Sequence, residues 1–191
     1  MKLLLLTGTR SGVICGLRWE EVKEDHIFIA AEERKNGRNK LRQDYRIPLT
    51  PAIHDVLAEA KLLFDGDHYV FPGASRSKMH HFTPGAAAQK LAEVRDRLGI
   101  DYFTIHTFRH TVNTELEGLS WEEDSQINDK RRHLLLGHVV SGDVNEKVYT
   151  HRSWLRMREK LTAALQEWHE TLDAIVNAPE PTSISKARSA L

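Results

Sequence analysis

The sequence predicts an α+β fold that is mainly helical, with a small antiparallel β-sheet near the N-terminus. Three observations predict it. Apolar residues recur at three- and four-residue spacing through most of the 191 residues. Only two short stretches, HIFIA at 26–30 and DYRIPL at 44–49, have the β-branched character of paired strands. Between those two lies Asn36-Gly37, a strong hairpin signal.

The elements follow in order. Residues 2–7 read as the end of a buried helix closed by Gly8, and residues 11–17 as a second short helix. The hairpin of 26–30 and 44–49 comes next. Thr50-Pro51 then supplies an N-cap followed by proline at the first helical position, opening a helix that runs to Phe64. Residues 69–71 are expected to form a short strand. Thr83-Pro84 opens another helix that reaches Leu98 and stops at Gly99. Helices are expected from Thr107 to Leu119, through RRHLLLG, and briefly at 144–149. Ser153 is expected to cap the last helix, whose stripe comprises Trp154, Met157, Leu161, Leu165, Trp168, Leu172 and Ile175. That stripe is expected to cover the domain's own core. The tail 178–191 carries two prolines and several serines and is expected to be flexible, leaving residues 1–177 as one domain.

Composition excludes several classes. No apolar run approaches the roughly 20 residues that span a bilayer. A lone cysteine, Cys15, makes no internal disulfide, so a reducing, cytoplasmic compartment is expected. Net charge is formally zero, yet residues 34–46, RKNGRNKLRQDYR, hold six Arg or Lys against one Asp. The compensating acids, Glu115, Glu117, Glu122, Glu123, Asp124 and Asp129, lie at 115–129. A chain neutral on average but locally this basic can grip phosphates on one face. By itself the basic run reads more readily as a solvated hairpin.

HTFRHT at 106–111 raises two chemistries. His106 and His110, four apart, share a helix face as two metal ligands would, but Thr107 stands where a metalloprotease has its glutamate. Arg109 in the same turn opposes a dication, and no Cys pair supports a zinc site. No metal and no cofactor are therefore expected. For an anion the segment is better suited: His106 and Arg109 point the same way at i and i+3, arginine grips phosphate bidentately, and histidine exchanges protons near neutral pH. Alone, HxxR is weak evidence.

Its companions are ordered. TGTRSGVICGLRW spans 7–19, the basic hairpin with Lys35 follows, then HTFRHT, LLLGH at 134–138 and VYTH at 148–151. This set resembles the catalytic domain of tyrosine recombinases, the phage-integrase family, over residues 1–176. The resemblance implies that fold and a metal-free, nucleotide-free DNA strand transfer through a covalent 3′-phosphotyrosine. Arg10 and Arg109 would bind the phosphate, Lys35 would protonate the departing 5′-oxygen, and His106 would move the tyrosine's proton. His138 would hydrogen-bond the scissile phosphate, and Tyr149 would be the nucleophile, while Tyr45, Tyr69 and Tyr102 read as packed aromatics. Arg34, Arg38, Lys40 and Arg42 would contact the DNA backbone. Double-stranded DNA and further protomers, tetrameric on DNA and monomeric without it, would be the partners.

The physics of the reaction agrees. Displacement at a phosphodiester spreads negative charge over the non-bridging oxygens, so preorganised arginine and histidine donors lower the barrier. A phenol with pKa of about 10 needs such a field to act as a nucleophile.

Three departures from the family pattern stand out. Val13 occupies the position, three after the first arginine, where an acidic residue buttresses the site. GDVNE at 142–146 slightly lengthens the gap from His138 to Tyr149. The family's N-terminal core-binding domain is expected to be missing from this chain. A catalytically impaired DNA-binding remnant and a type IB topoisomerase-like strand transferase are the alternative readings.

Overall fold

The structure is a computed structural model that describes residues 1–30, 44–64, 68–74, 80–137 and 151–178. The described elements are helices α1 (Lys2–Thr7) and α2 (Ser11–Cys15), strands β1 (His26–Ile29) and β2 (Tyr45–Pro48), and helices α3 (Pro51–Leu63), α4 (Pro84–Leu98), α5 (Ile105–Leu119), α6 (Asp129–Leu135) and α7 (His151–Val176). The α+β, mainly helical class is as expected.

Local chemistry fixes most boundaries. α1 stops at Gly8, whose left-handed backbone (φ 60°) returns its N–H to the Leu4 carbonyl. Thr50 and Thr83 cap α3 and α4, their hydroxyls accepting the backbone N–H of Ile53 and Ala86 at 3.4 and 3.1 Å. Asn128 caps α6 through its side-chain oxygen and the Arg131 N–H, 2.9 Å apart. β1 and β2 pair antiparallel with Ile27 opposite Ile47 and Phe28 opposite Arg46. The Arg46 guanidinium lies 4.5 Å above the Phe28 ring, so its stem covers apolar surface.

The core gathers Leu3 and Leu4 of α1, Val13 and Ile14 of α2, Ile27, Ile29 and Ile47 of the sheet, Val112 and Leu116 of α5, and the stripe of α7. In α7 Trp154, Leu161, Ala164, Leu165 and Trp168 are buried, so the helix does cover its own domain. Each such large side chain contributes about 1.5–3 kcal/mol by leaving water. The same helix also satisfies the open carbonyls at the end of α1. Trp168 Nε1 donates to Leu5 O at 3.0 Å, and His169 Nε2 donates to Leu6 O at 2.9 Å. Those bonds hold the turn that carries Arg10.

Several expectations need correction. Residues 69–71 form no strand; Tyr69 and Pro72 make only isolated bridges, to Arg18 and His81. Val70 is buried there; its N–H reaches Leu17 O and His68 O accepts from the Trp19 N–H, so isolated bridges dock the segment and no ladder extends it. α5 begins two residues before Thr107, because the Thr104 N–H bonds to the Thr107 hydroxyl (3.1 Å) in a capping box. Ser153 lies within α7 (His151–Val176), not at the position before it. Ile175 is 55% exposed and leaves the stripe, because the core ends one turn earlier, at Leu172. Tyr102 is 79% exposed, its ring under Arg95, and is not a packed aromatic. The Asn36-Gly37 turn, the helix expected at 144–149 and the tail from 179 lie outside the described residues.

Candidate active site

The end of α6 is where the site is built. Three successive carbonyls there, of Leu135, Leu136 and Gly137, each accept a hydrogen bond from a different element. The Tyr45 hydroxyl of β2 donates to Leu135 O. Arg109 of α5 donates from Nη2 to Leu136 O at 2.9 Å, and from Nη1 to Gly8 O at 2.6 Å. Arg10, at the N-cap position of α2, donates from Nη1 to Gly137 O at 3.3 Å. A helix leaves its last carbonyls without internal partners, and their partial negative charge suits cations. The short α6 thus draws two arginines, 99 positions apart in the sequence, to adjacent residues. His138 is the very next residue of the chain.

Electrostatics report the same convergence. Burial holds Arg109 below the ordinary arginine value, and the charge of Arg10 lowers it further, while Tyr45 acts the other way. Burial pushes the Tyr45 phenol up, against the hydrogen bond from Thr9 and the charges of Arg109 and Arg10. His106 reaches solvent one turn before Arg109. Desolvation, then His110, Arg109 and Arg10, move it below the ordinary imidazole value, which keeps it a neutral proton acceptor at neutral pH. The His106 and His110 rings meet edge to face with centroids 4.5 Å apart. Among the described residues no three His, Cys, Asp or Glu side chains gather as a metal site would require.

Of the residues singled out in the sequence, Arg10, His106 and Arg109 are therefore brought together. Lys35, His138 and Tyr149 lie outside the described residues, as do Arg34, Arg38, Lys40 and Arg42. Val13 is 1% exposed in the core, not at the site's surface. Two residues escaped the sequence reading. Tyr45 is packed as expected but also bonds across 90 positions to α6, and Thr9 Oγ1 lies 3.0 Å from its hydroxyl. No local pattern marks either role, because each depends on a partner remote in the chain.

Chemically, the cluster suits an anion. Arg10 is half-buried, and no carboxylate pairs with it among the described residues. A guanidinium has five donors, so donors remain after its one backbone bond.

The fold around this cluster is that of tyrosine-recombinase catalytic cores. The lambda integrase catalytic core superposes with a TM-score of 0.53 at 20% identity, over 72% of this chain and 79% of that one. A lambda integrase tetramer bound to a Holliday junction gives 0.53 and 20%, over 75% of this chain and 40% of that one. The Tn1549 transposon integrase in complex with circular intermediate DNA gives 0.54 and 16%, over 84% and 58%. The chain thus spans less than two thirds of these two longer recombinases. No curated protein matches it. The phage integrase family pattern matches residues 1–156, and the chain belongs to that family. No helix among the described residues is long and apolar enough to cross a membrane.

Proposed function

We infer that the chain is the catalytic domain of a site-specific DNA recombinase that cuts and rejoins duplex DNA through a 3′-phosphotyrosine at Tyr149. One observation carries this reading: Arg10 and Arg109 meet at the successive carbonyls that immediately precede His138. In this proposal the two arginines hold the non-bridging oxygens of the scissile phosphate, where charge accumulates as the phenolate attacks. His106, neutral before the reaction, takes the tyrosine proton. His138 donates to the phosphate, and Lys35 protonates the leaving 5′-oxygen. Arg34, Arg38, Lys40 and Arg42 grip the backbone beside it, which makes binding fall with salt. The phosphotyrosine conserves the energy of the broken bond, so a second 5′-hydroxyl reseals the strand without metal or nucleotide.

The physiological partners are duplex DNA and further protomers, four to a synapse. The functional domain is residues 1–177, with 178–191 as an appended tail, and it works beside a core-binding domain that completes the grip on DNA. The activity belongs in the cytoplasm, at the nucleoid.

The test uses nicked duplexes taken from the DNA that flanks the gene, which trap the covalent intermediate because the short cut strand diffuses away. A protein–DNA band that resists denaturant and is lost in Tyr149→Phe supports the proposal. The burial of Val13 where the family has a carboxylate favours one rival, a DNA-binding remnant; duplex binding without any covalent band in the wild-type chain would establish it.

A further inference from the structure

Away from the arginine cluster, a groove of about 790 Å³ opens between the C-terminal end of α5, the start of α6 and the first turns of α7. Lys130, Arg131, Arg156 and Lys160 line it with Met157 and Trp121, alongside the carboxylates of Glu117 and Asp129. Trp121 is 82% exposed, the most exposed of the chain's four tryptophans. Arg132 is already engaged, by Glu117 at 3.4 Å and Asp129 at 2.9 Å. Lys130, Arg156 and Lys160 have no ion pair among the described residues.

The segment that follows Trp121 carries the opposite sign. Residues 122–127 join two positions that line the groove, Trp121 and Asn128, and begin with the exposed acids Glu122, Glu123 and Asp124. This ridge is held in place. Glu167 of α7 accepts the Ser125 hydroxyl at 2.6 Å and the Gln126 N–H at 2.7 Å, and Arg131 donates to Gln126 O. A nucleic-acid backbone drawn to the groove would meet three carboxylates at its edge. A surface with a basic wall, an acidic ridge and an exposed tryptophan side by side is instead complementary to itself.

We propose that this face is a two-fold interface between copies of the chain. Under a two-fold axis each contact occurs twice. Glu122, Glu123 and Asp124 of one copy face Lys130, Arg156 and Lys160 of the other, and each Trp121 enters the partner's groove. There it covers the aliphatic stems of Arg156 and Lys160 and the thioether of Met157, with their charges over its ring. The preset ridge lowers the entropy cost of pairing. The groove and its neighbouring acids involve far fewer than the roughly 20–30 residues a side of a standard stable interface, so pairing is weak and reversible. This departs from the expectation of a monomer without DNA, and it does not depend on the chemistry proposed for Tyr149.

Sedimentation equilibrium of the full chain, without DNA, tests it up to about 500 µM, the range a small interface needs. The weight-average mass should rise with concentration from 21.9 kDa toward twice that value in low salt, and fall back in high salt. Trp121→Ser should weaken pairing by about tenfold or more, as a central aromatic anchor does. Two charge-reversed variants, Arg156→Glu with Lys160→Glu, and Glu122→Lys with Glu123→Lys, should each stay monomeric alone and pair when mixed. All five side chains are exposed, and unchanged melting temperatures confirm that the variants fold. The proposal is overturned if the wild-type chain stays monomeric throughout, if Trp121→Ser pairs as well as wild type, or if the mixed variants do not associate. It is equally overturned if single-stranded oligonucleotide, not self-association, quenches Trp121.

Discussion

Gly8→Ala adds one methyl group at the joint between α1, α5 and α6, and its effect can be worked from the structure. A Cβ at Gly8 would lie 2.6 Å from Leu136 Cδ2 and 2.8 Å from Val112 Cγ1. Both neighbours are fully buried and cannot swing away. The left-handed backbone (φ 60°) adds about 1–2 kcal/mol for an L-residue, and overpacking adds about 1–3 kcal/mol. The sum, roughly 2–5 kcal/mol, corresponds to about 4–20 °C of melting temperature in a domain of this size. Gly99 supplies the control, with φ 63° and nothing within 4 Å of an added Cβ. Gly99→Ala therefore carries only the backbone cost. The difference between the variants isolates the clash, at about 1–3 kcal/mol. Differential scanning calorimetry on both, with Val112→Ala added to Gly8→Ala, measures it; the smaller residue at 112 should recover part of the loss, a coupling expected for groups in contact. Since Gly8 O accepts from Arg109 at 2.6 Å, strand cleavage should fall as well. Equal melting temperatures for Gly8→Ala and Gly99→Ala, within about 1 °C, would refute the packing argument.

Two further predictions concern single polar groups. Tyr45→Phe leaves the Leu135 carbonyl without its donor and should cost about 1–3 kcal/mol in urea unfolding, with reduced cleavage because the end of α6 is freed. His169 donates from Nε2 to Leu6 and accepts the Thr50 hydroxyl at Nδ1, and burial holds it below the ordinary imidazole value. Its folded form therefore binds fewer protons than its unfolded form. The resulting stability is fully present above about pH 6.5 and is lost as pH falls from there through the folded pKa. His169→Gln should flatten that part of a urea-midpoint profile measured between about pH 5 and 8.

How much of this was legible depends on the range of the interaction. Thr50-Pro51, Thr83-Pro84 and Gly99 mark helix ends by chemistry that acts within four residues, and those boundaries were readable. Arg10, His106 and Arg109 could be singled out because arginine and histidine in ordered, glycine-punctuated motifs stand out by residue type alone. What joins them could not. The carbonyls of Leu135, Leu136 and Gly137 belong to no particular side chain, and their donors come from Tyr45, Arg109 and Arg10. Residues 69–71 misled for a related reason. β-Branched and aromatic character fits a docked extended segment as well as a strand, and only the partner decides which forms.

The same carbonyls bear on Val13. A carboxylate there would sit in the core, where Val13 is 1% exposed among α2's apolar residues, and an unpaired buried charge is costly. In this chain backbone dipoles orient both guanidiniums instead. Carbonyl oxygens fix direction with partial charge, whereas a carboxylate would add a full negative charge. Holding two like charges at successive residues has a cost, seen in Arg109, which burial and Arg10 both push below the ordinary arginine value. On the proposed reading, a phosphodiester bound between them would reverse the sign of that interaction, turning the repulsion between Arg10 and Arg109 into attraction shared through one anion. With Val13 buried in the core, aiming Arg10 falls to the Gly137 carbonyl.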